Sequence, residues 1–201
     1  MKSSRLIMSA KSVANPDLIR WNEKYRQSGQ ASATIEPCGE PELVRYRTMF
    51  EPEPGEMALE VACGRGANAL YLATMGYDVV AIDGAIEGLQ TCEQSAKNLG
   101  LPVYPVVADL NDLVLPEATF ALVSVVRYLQ RDLVPALIKS LAPGGTIFYK
   151  TFSHHFLKVK PGFNPDYVLG VNELLDWFEG FQILATNADT DAPTAWVLAR
   201  L

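Results

Sequence analysis

The chain has 201 residues, of which 49% are apolar and 20% charged, and carries a net charge of −6. That composition excludes a disordered chain, and an acidic balance with scattered Lys and Arg argues against nucleic-acid binding, which needs clustered cations. Cys38, Cys63 and Cys92 lack metal-ligand spacing and leave an odd thiol, which fits a reducing, cytoplasmic setting.

Residues 1–20 read as a leader whose longest apolar run, Leu6-Ile7-Met8, is too short for a signal-peptide core. No stretch approaches the roughly 20 apolar residues of a membrane span. Asn15-Pro16-Asp17 starts a helix, with Leu18, Trp21 and Tyr25 at helical spacing. A polar stretch follows to Cys38, then a short helix is predicted over 42–50, ended by the turn EPEPGE. From residue 57 the pattern is regular. Strand 57–61 enters a glycine turn, helix 67–75 closes at Gly76, strand 78–82 ends at Asp83, and helix 87–99 ends at Gly100. Strands at 103–107 and 120–126 come next, then a helix over 132–141 and a fifth strand over 146–152. A helix near 173–178 and two strands, 181–185 and 195–200, finish the chain, and these two must pair antiparallel because no crossover fits between them. Strands alternating with helices predict one α/β domain over 1–201: a Rossmann-like, doubly wound sheet, mostly parallel with an antiparallel C-terminal pair. Within it, residues 21–50 form N-terminal helices and 57–201 the core.

The sharpest local feature is Glu60-Val61-Ala62-Cys63-Gly64-Arg65-Gly66-Ala67-Asn68. An acid at a strand end precedes Gly-x-Gly, where the backbone must turn tightly and lie against a ligand. Asp83 ends the second strand, where its carboxylate can accept from a ribose diol, and Asp109 ends the third, where it can meet an adenine amino group. Gly64-x-Gly66-x-x-Ala69 taken alone also fits a dinucleotide fingerprint. Glu60 discriminates, because a carboxylate beside the turn would repel a pyrophosphate by about 1–4 kcal/mol. It favours a cation instead, such as S-adenosylmethionine, which carries an ammonium and a sulfonium and no phosphate.

Together with Ala81-Ile82-Asp83, Ala108-Asp109-Leu110, Arg127-Tyr128-Leu129 and Leu141-Ala142-Pro143-Gly144-Gly145, this segment resembles the ordered motifs of class I S-adenosylmethionine-dependent methyltransferases. Trp21-x-x-x-Tyr25 makes it similar to the tellurite-resistance and thiopurine-type branch. The resemblance implies that Glu60 and the backbone around Ala62, Cys63, Gly64 and Gly66 hold the methionine portion. It implies that Asp83, beside Gly84, holds the ribose, and that Asp109 with the Leu110 backbone holds the adenine. The strand end near Val125 and Arg127 would meet the amino acid end, and the helix bearing Trp21 and Tyr25 would close as a lid. Two departures from the family pattern are Ala121, where an acid is usual after Phe120, and Lys150 before Thr151-Phe152.

Simpler readings stand beside these. Asp109 to Asn111 could be a capping turn, Trp21 and Tyr25 could pack a helix on the core, and Arg127 could make a surface salt bridge. Cys63 suits the turn by its small size. Lys150 fits a surface or core-edge place, with facing the pocket as the alternative. His154 and His155, as neighbours, should diverge and make a poor metal site. No catalytic residue and no metal ligand is assigned, since in-line methyl transfer chiefly needs orientation. A soft sulfur, selenium or tellurium nucleophile needs no base. The expected activity is methyl transfer to a small-molecule acceptor by a monomer or homodimer, with no nucleic-acid or membrane partner. A non-catalytic S-adenosylmethionine-binding protein and an NAD(P)-dependent oxidoreductase remain as alternatives. Segment 153–170 is too long for a plain connector and is expected to close over substrate.

Overall fold

Met57–Val61 forms β1, buried at every position after the first, as a strand covered on both faces should be. The structure, a computed structural model, describes residues 16–27, 34–188 and 190–201. Most of the expected leader, residues 1–15, lies outside the described residues. The seven strands make the mixed sheet that the sequence predicts, in the order β3-β2-β1-β4-β5-β7-β6. The residues fall into two compact units, one reaching to Val114 and one running Leu115–Leu201.

In the first unit β1 pairs in parallel with β2 (Asp78–Asp83), and β2 with β3 (Val103–Val107). The crossovers are α3 (Ala67–Thr74) and α4 (Ile86–Leu99), which ends on left-handed Gly100. Ahead of them lie α1 (Pro16–Gln27) and α2 (Pro41–Arg45). The second predicted helix is thus shorter than 42–50. Pro41 pre-sets its first turn, and Tyr46 leaves helical geometry (φ −104°), so that only a 3-10 turn, Arg47–Met49, follows.

In the second unit β4 (Phe120–Val126) pairs in parallel with β5 (Leu141–Phe152). The fifth strand begins earlier than predicted, because the Pro143-Gly144-Gly145 turn is absorbed where the register shifts between Phe120 and Leu122. The predicted helix 132–141 divides into a 3-10 turn, Arg131–Leu133, and α5 (Val134–Ser140), with Pro135 in its first turn. Two short helices follow, α6 (Phe156–Val159) and α7 (Glu173–Asp176). β7 (Thr194–Arg200) then runs antiparallel to both β5 and β6 (Gln182–Thr186), as expected. No helix among the described residues is long and apolar enough to cross a membrane.

Segment 153–170 is held by a clamp. Arg131 Nε and Nη2 donate to the Glu173 carboxylate at 2.6 and 3.0 Å. The same guanidinium donates to the carbonyls of Asp166 and Val168, and the Gly170 N–H donates to Glu173. Burial alone would raise the Glu173 carboxyl, but the Arg131 and Gly170 hydrogen bonds outweigh it and hold it below the ordinary range. A carboxyl lowered on folding stabilises the fold above its unfolded pKa and loses that contribution as pH falls through the lowered value. Arg131 is half exposed, so Glu173→Gln should cost about 1 kcal/mol at neutral pH. Urea denaturation at falling pH should show the two proteins converging in acid.

Candidate functional site

The first unit bends its backbone hard at the carboxyl end of β1. Ala62, Gly64 and Gly66 all take positive φ, at 55°, 55° and 83°. A left-handed alanine is strained, and such strain collects where a loop must hold a set shape. The Gly64 N–H donates to Asp83 Oδ2 at 2.8 Å and the Ala85 N–H to Asp83 Oδ1 at 2.7 Å, so one carboxylate ties the turn to the end of β2. Burial pushes the Asp83 carboxyl up, and N–H groups of Ala85, Gly64 and Gly84 partly offset this. The carboxylate keeps lone-pair capacity beyond these N–H groups, the kind that a ribose hydroxyl would use.

Glu60 is 2% exposed, the most deeply buried carboxylate of the expected set. Its Oε2 accepts from Asn68 Nδ2 at 2.9 Å, and Asn68 Oδ1 accepts from the Glu40 N–H at 3.1 Å. Asn68, which the motif contains without an assigned role, thus joins Glu60 to the segment at Glu40; its place in the first turn of a helix behind an acid is the signal. Cys63 is half-buried, and a hydrogen bond with Cys92, then burial, pushes its thiol up, which suits a packing role.

The helix α1 lies on this turn. Tyr25 Oη would stand 2.6 Å from a Cβ on Gly64, and Leu18 would meet one on Gly84 at 2.3 Å. The Glu87 N–H donates to Asn22 Oδ1 at 3.1 Å, and Arg26 pairs with Glu87 at 3.0 Å. Arg65 donates to the Tyr25 carbonyl at 3.0 Å and its guanidinium sits 5.6 Å from the Tyr25 ring centre. Neither Arg65 nor Asn22 carried a sequence signal, since their partners are distant in the chain. Burial, then the Asp83 charge, pushes the Tyr25 hydroxyl above its ordinary range, so it stays a neutral donor. Trp21 stacks on Tyr25 with ring centres 5.8 Å apart and is 38% exposed.

Asp109 is buried, and its Oδ1 accepts from the Asn111 N–H at 3.0 Å and side-chain amide at 2.9 Å. The capping turn is therefore present, with Leu110 opening it and buried. In the second unit, Val125 is fully buried within β4. Arg127 is exposed just past that strand at φ 57°, its N–H bonded to the Lys150 carbonyl at 2.7 Å. Lys150 is only 8% exposed, which corrects the expected surface place; β5 is an inner strand there, paired with β7 so that Lys150 stands opposite Trp196. The histidine pair also departs from expectation. The rings of His154 and His155 lie 3.9 Å apart at 41°, since the turn after β5 folds them together instead of letting them diverge.

Residues 58–145 match the family model described as a methyltransferase domain. Over 85 residues the chain is 31% identical to the probable S-adenosyl-L-methionine-dependent methyltransferase TehB of Haemophilus influenzae, covering 41% of this chain and 30% of that protein. The chain thus spans under a third of that relative's length. The structure of TehB from Haemophilus influenzae superposes with a TM-score of 0.66 at 20% identity, covering 89% of this chain and 66% of that one. An S-adenosylmethionine-dependent methyltransferase from Mesorhizobium loti gives 0.65 at 19% identity, over 81% and 99%. Geranyl diphosphate C-methyltransferase from Streptomyces coelicolor, solved with S-adenosyl-L-homocysteine, gives 0.62 at 12% identity, over 93% and 98%. The expected resemblance to class I S-adenosylmethionine-dependent methyltransferases of the TehB kind holds, and the fold is theirs.

Proposed function

We propose that this chain, which carries a methyltransferase-domain segment over 58–145, transfers a methyl group from S-adenosylmethionine to a small-molecule acceptor. The observation that carries the reading is the buried Glu60 carboxylate directly behind the strained turn from Ala62 to Gly66. A fixed negative charge there favours the ammonium end of the methyl donor and opposes a diphosphate. The residues fit that group. Glu60 and the turn would hold its amino acid portion and Asp83 its ribose. Leu110 and the Asp109 turn would border the adenine, with Tyr25 and Trp21 covering the turn as a lid. The cofactor supplies an activated methyl carbon. The chain's own task is to orient the acceptor in line with it and to exclude water. A soft sulfur, selenium or tellurium anion could be methylated by orientation alone, whereas a hydroxyl or amine needs a group to take its proton.

Calorimetric titration checks the reading. S-adenosylhomocysteine should bind with saturable heat and NAD(P)H should not; heat from NAD(P)H alone would replace this reading with an oxidoreductase. With donor binding established, consumption of S-adenosylmethionine across thiols, amines and phenols should separate an enzyme from a non-catalytic binding protein.

A further inference from the structure

The helix α1 has no buried residue. At 12 residues it is also of a length that is marginal for a lone helix in water, so its place depends on what it docks against. Leu18 fills the space over Gly84, and Tyr25 fills the space over Gly64 and beside Gly88. These contacts set α1 on the turn assigned to the methyl donor. Two polar contacts then tie α1 to the body of the first unit, one in each direction.

The first serves α4, which begins behind Ala85, a residue with no side-chain oxygen to cap the helix. N–H groups in the first turn of a helix have no intrahelical partner. Asn22 supplies what Ala85 lacks: its Oδ1 accepts from the Glu87 N–H at 3.1 Å, as a capping side chain would. The second serves α1. Tyr25 lies in the last turn of that helix, where the dipole favours a cation. Arg65 Nη2 donates to the Tyr25 carbonyl at 3.0 Å, and its guanidinium stands 5.6 Å from the Tyr25 ring centre. Arg65 belongs to the glycine turn itself, between Gly64 and Gly66. Thus α1 caps a helix of the core, and the core caps α1. The Arg26–Glu87 pair adds little, because Arg26 is 66% exposed. Lifting α1 breaks both caps at once.

We propose that Asn22 and Arg65 are positioning residues whose reciprocal caps hold α1 shut over the turn and so set how long the methyl donor stays bound. The inference rests on the methyltransferase reading for the identity of what is retained. A ligand seated against Gly64 and Gly84 leaves when α1 lifts from them. Each lost cap raises the open fraction, so release quickens while entry is not slowed.

The test uses the full chain in two arms. Hydrogen exchange read by mass spectrometry, without ligand, follows the peptides spanning α1 and the start of α4. Asn22→Ala and Arg65→Ala should each speed exchange in α1 several-fold over wild type. Alanine is the better helix former at position 22, so faster exchange there reports a lost cap and not a weaker helix. Arg65→Lys, which keeps a donor and a charge, should restore part of the protection. In the second arm, labelled S-adenosylhomocysteine is chased with unlabelled ligand. Both alanine variants should release it several-fold faster, with association no slower than in wild type. If Arg65→Ala fails to fold by circular dichroism, Asn22→Ala decides. Unchanged exchange in α1, unchanged release of bound ligand, or slowed association in the deciding variant overturns the proposal. If wild type binds no S-adenosylhomocysteine, the methyltransferase reading fails, and the exchange arm alone upholds or overturns the caps.

Discussion

Gly66→Ala should destabilise the protein by about 2–5 kcal/mol, enough to unfold a marginal domain. Two effects combine. Residue 66 sits at φ 83°, where a side chain costs about 1–2 kcal/mol. A Cβ there would also stand 2.2 Å from Cys92 Sγ and 2.8 Å from Cys92 Cβ, and overpacking of this kind costs about 1–3 kcal/mol. Gly55 separates the two. Its φ is 86°, yet a Cβ would meet nothing within 4 Å, so Gly55→Ala should show the backbone cost alone. Cys92→Ala, which removes Sγ, should recover part of the loss in the Gly66→Ala background and none in the Gly55→Ala background. Urea denaturation of the four variants measures this, and equal losses at both glycines would show that the contact with Cys92 is slack.

Glu60→Gln should weaken binding of S-adenosylhomocysteine about tenfold or more while leaving the melting temperature nearly unchanged. Glutamine keeps a carbonyl to accept from Asn68, so the packing behind the turn persists. What disappears is the charge, worth about 1–4 kcal/mol to an ammonium a few ångströms away. Adenosine, which has no ammonium, should bind both proteins alike, and an equal loss for adenosine would assign the effect to a deformed turn.

Much of this arrangement is legible in the sequence because its signals are local. The apolar runs at 57–61, 103–107 and 120–126 coincide with β1, β3 and β4. Buried parallel strands have few other ways to read. The antiparallel ending follows from the lack of room for a crossover between β6 and β7. Glu60, Gly64, Gly66 and Asp83 are linked in the structure because the strand ends that carry them are adjacent, and adjacency of successive strands follows from the alternation itself. Contacts between distant segments had no such signal. Arg131 finds Glu173, Ser153 finds Ala192, and His155 finds Asp191, each across a loop whose course no periodicity sets. Lys150 misleads for a related reason: a lysine in an apolar strand reads as an edge residue until β7 is known to pair with β5.

A crystal structure with bound S-adenosylhomocysteine puts the account to its most direct trial. The amino acid end of the ligand should lie at the Ala62–Gly66 turn with its ammonium facing Glu60, and both ribose hydroxyls should donate to Asp83. A ligand seated away from that turn, or one whose ammonium is neutralised by another carboxylate, would contradict the assignment.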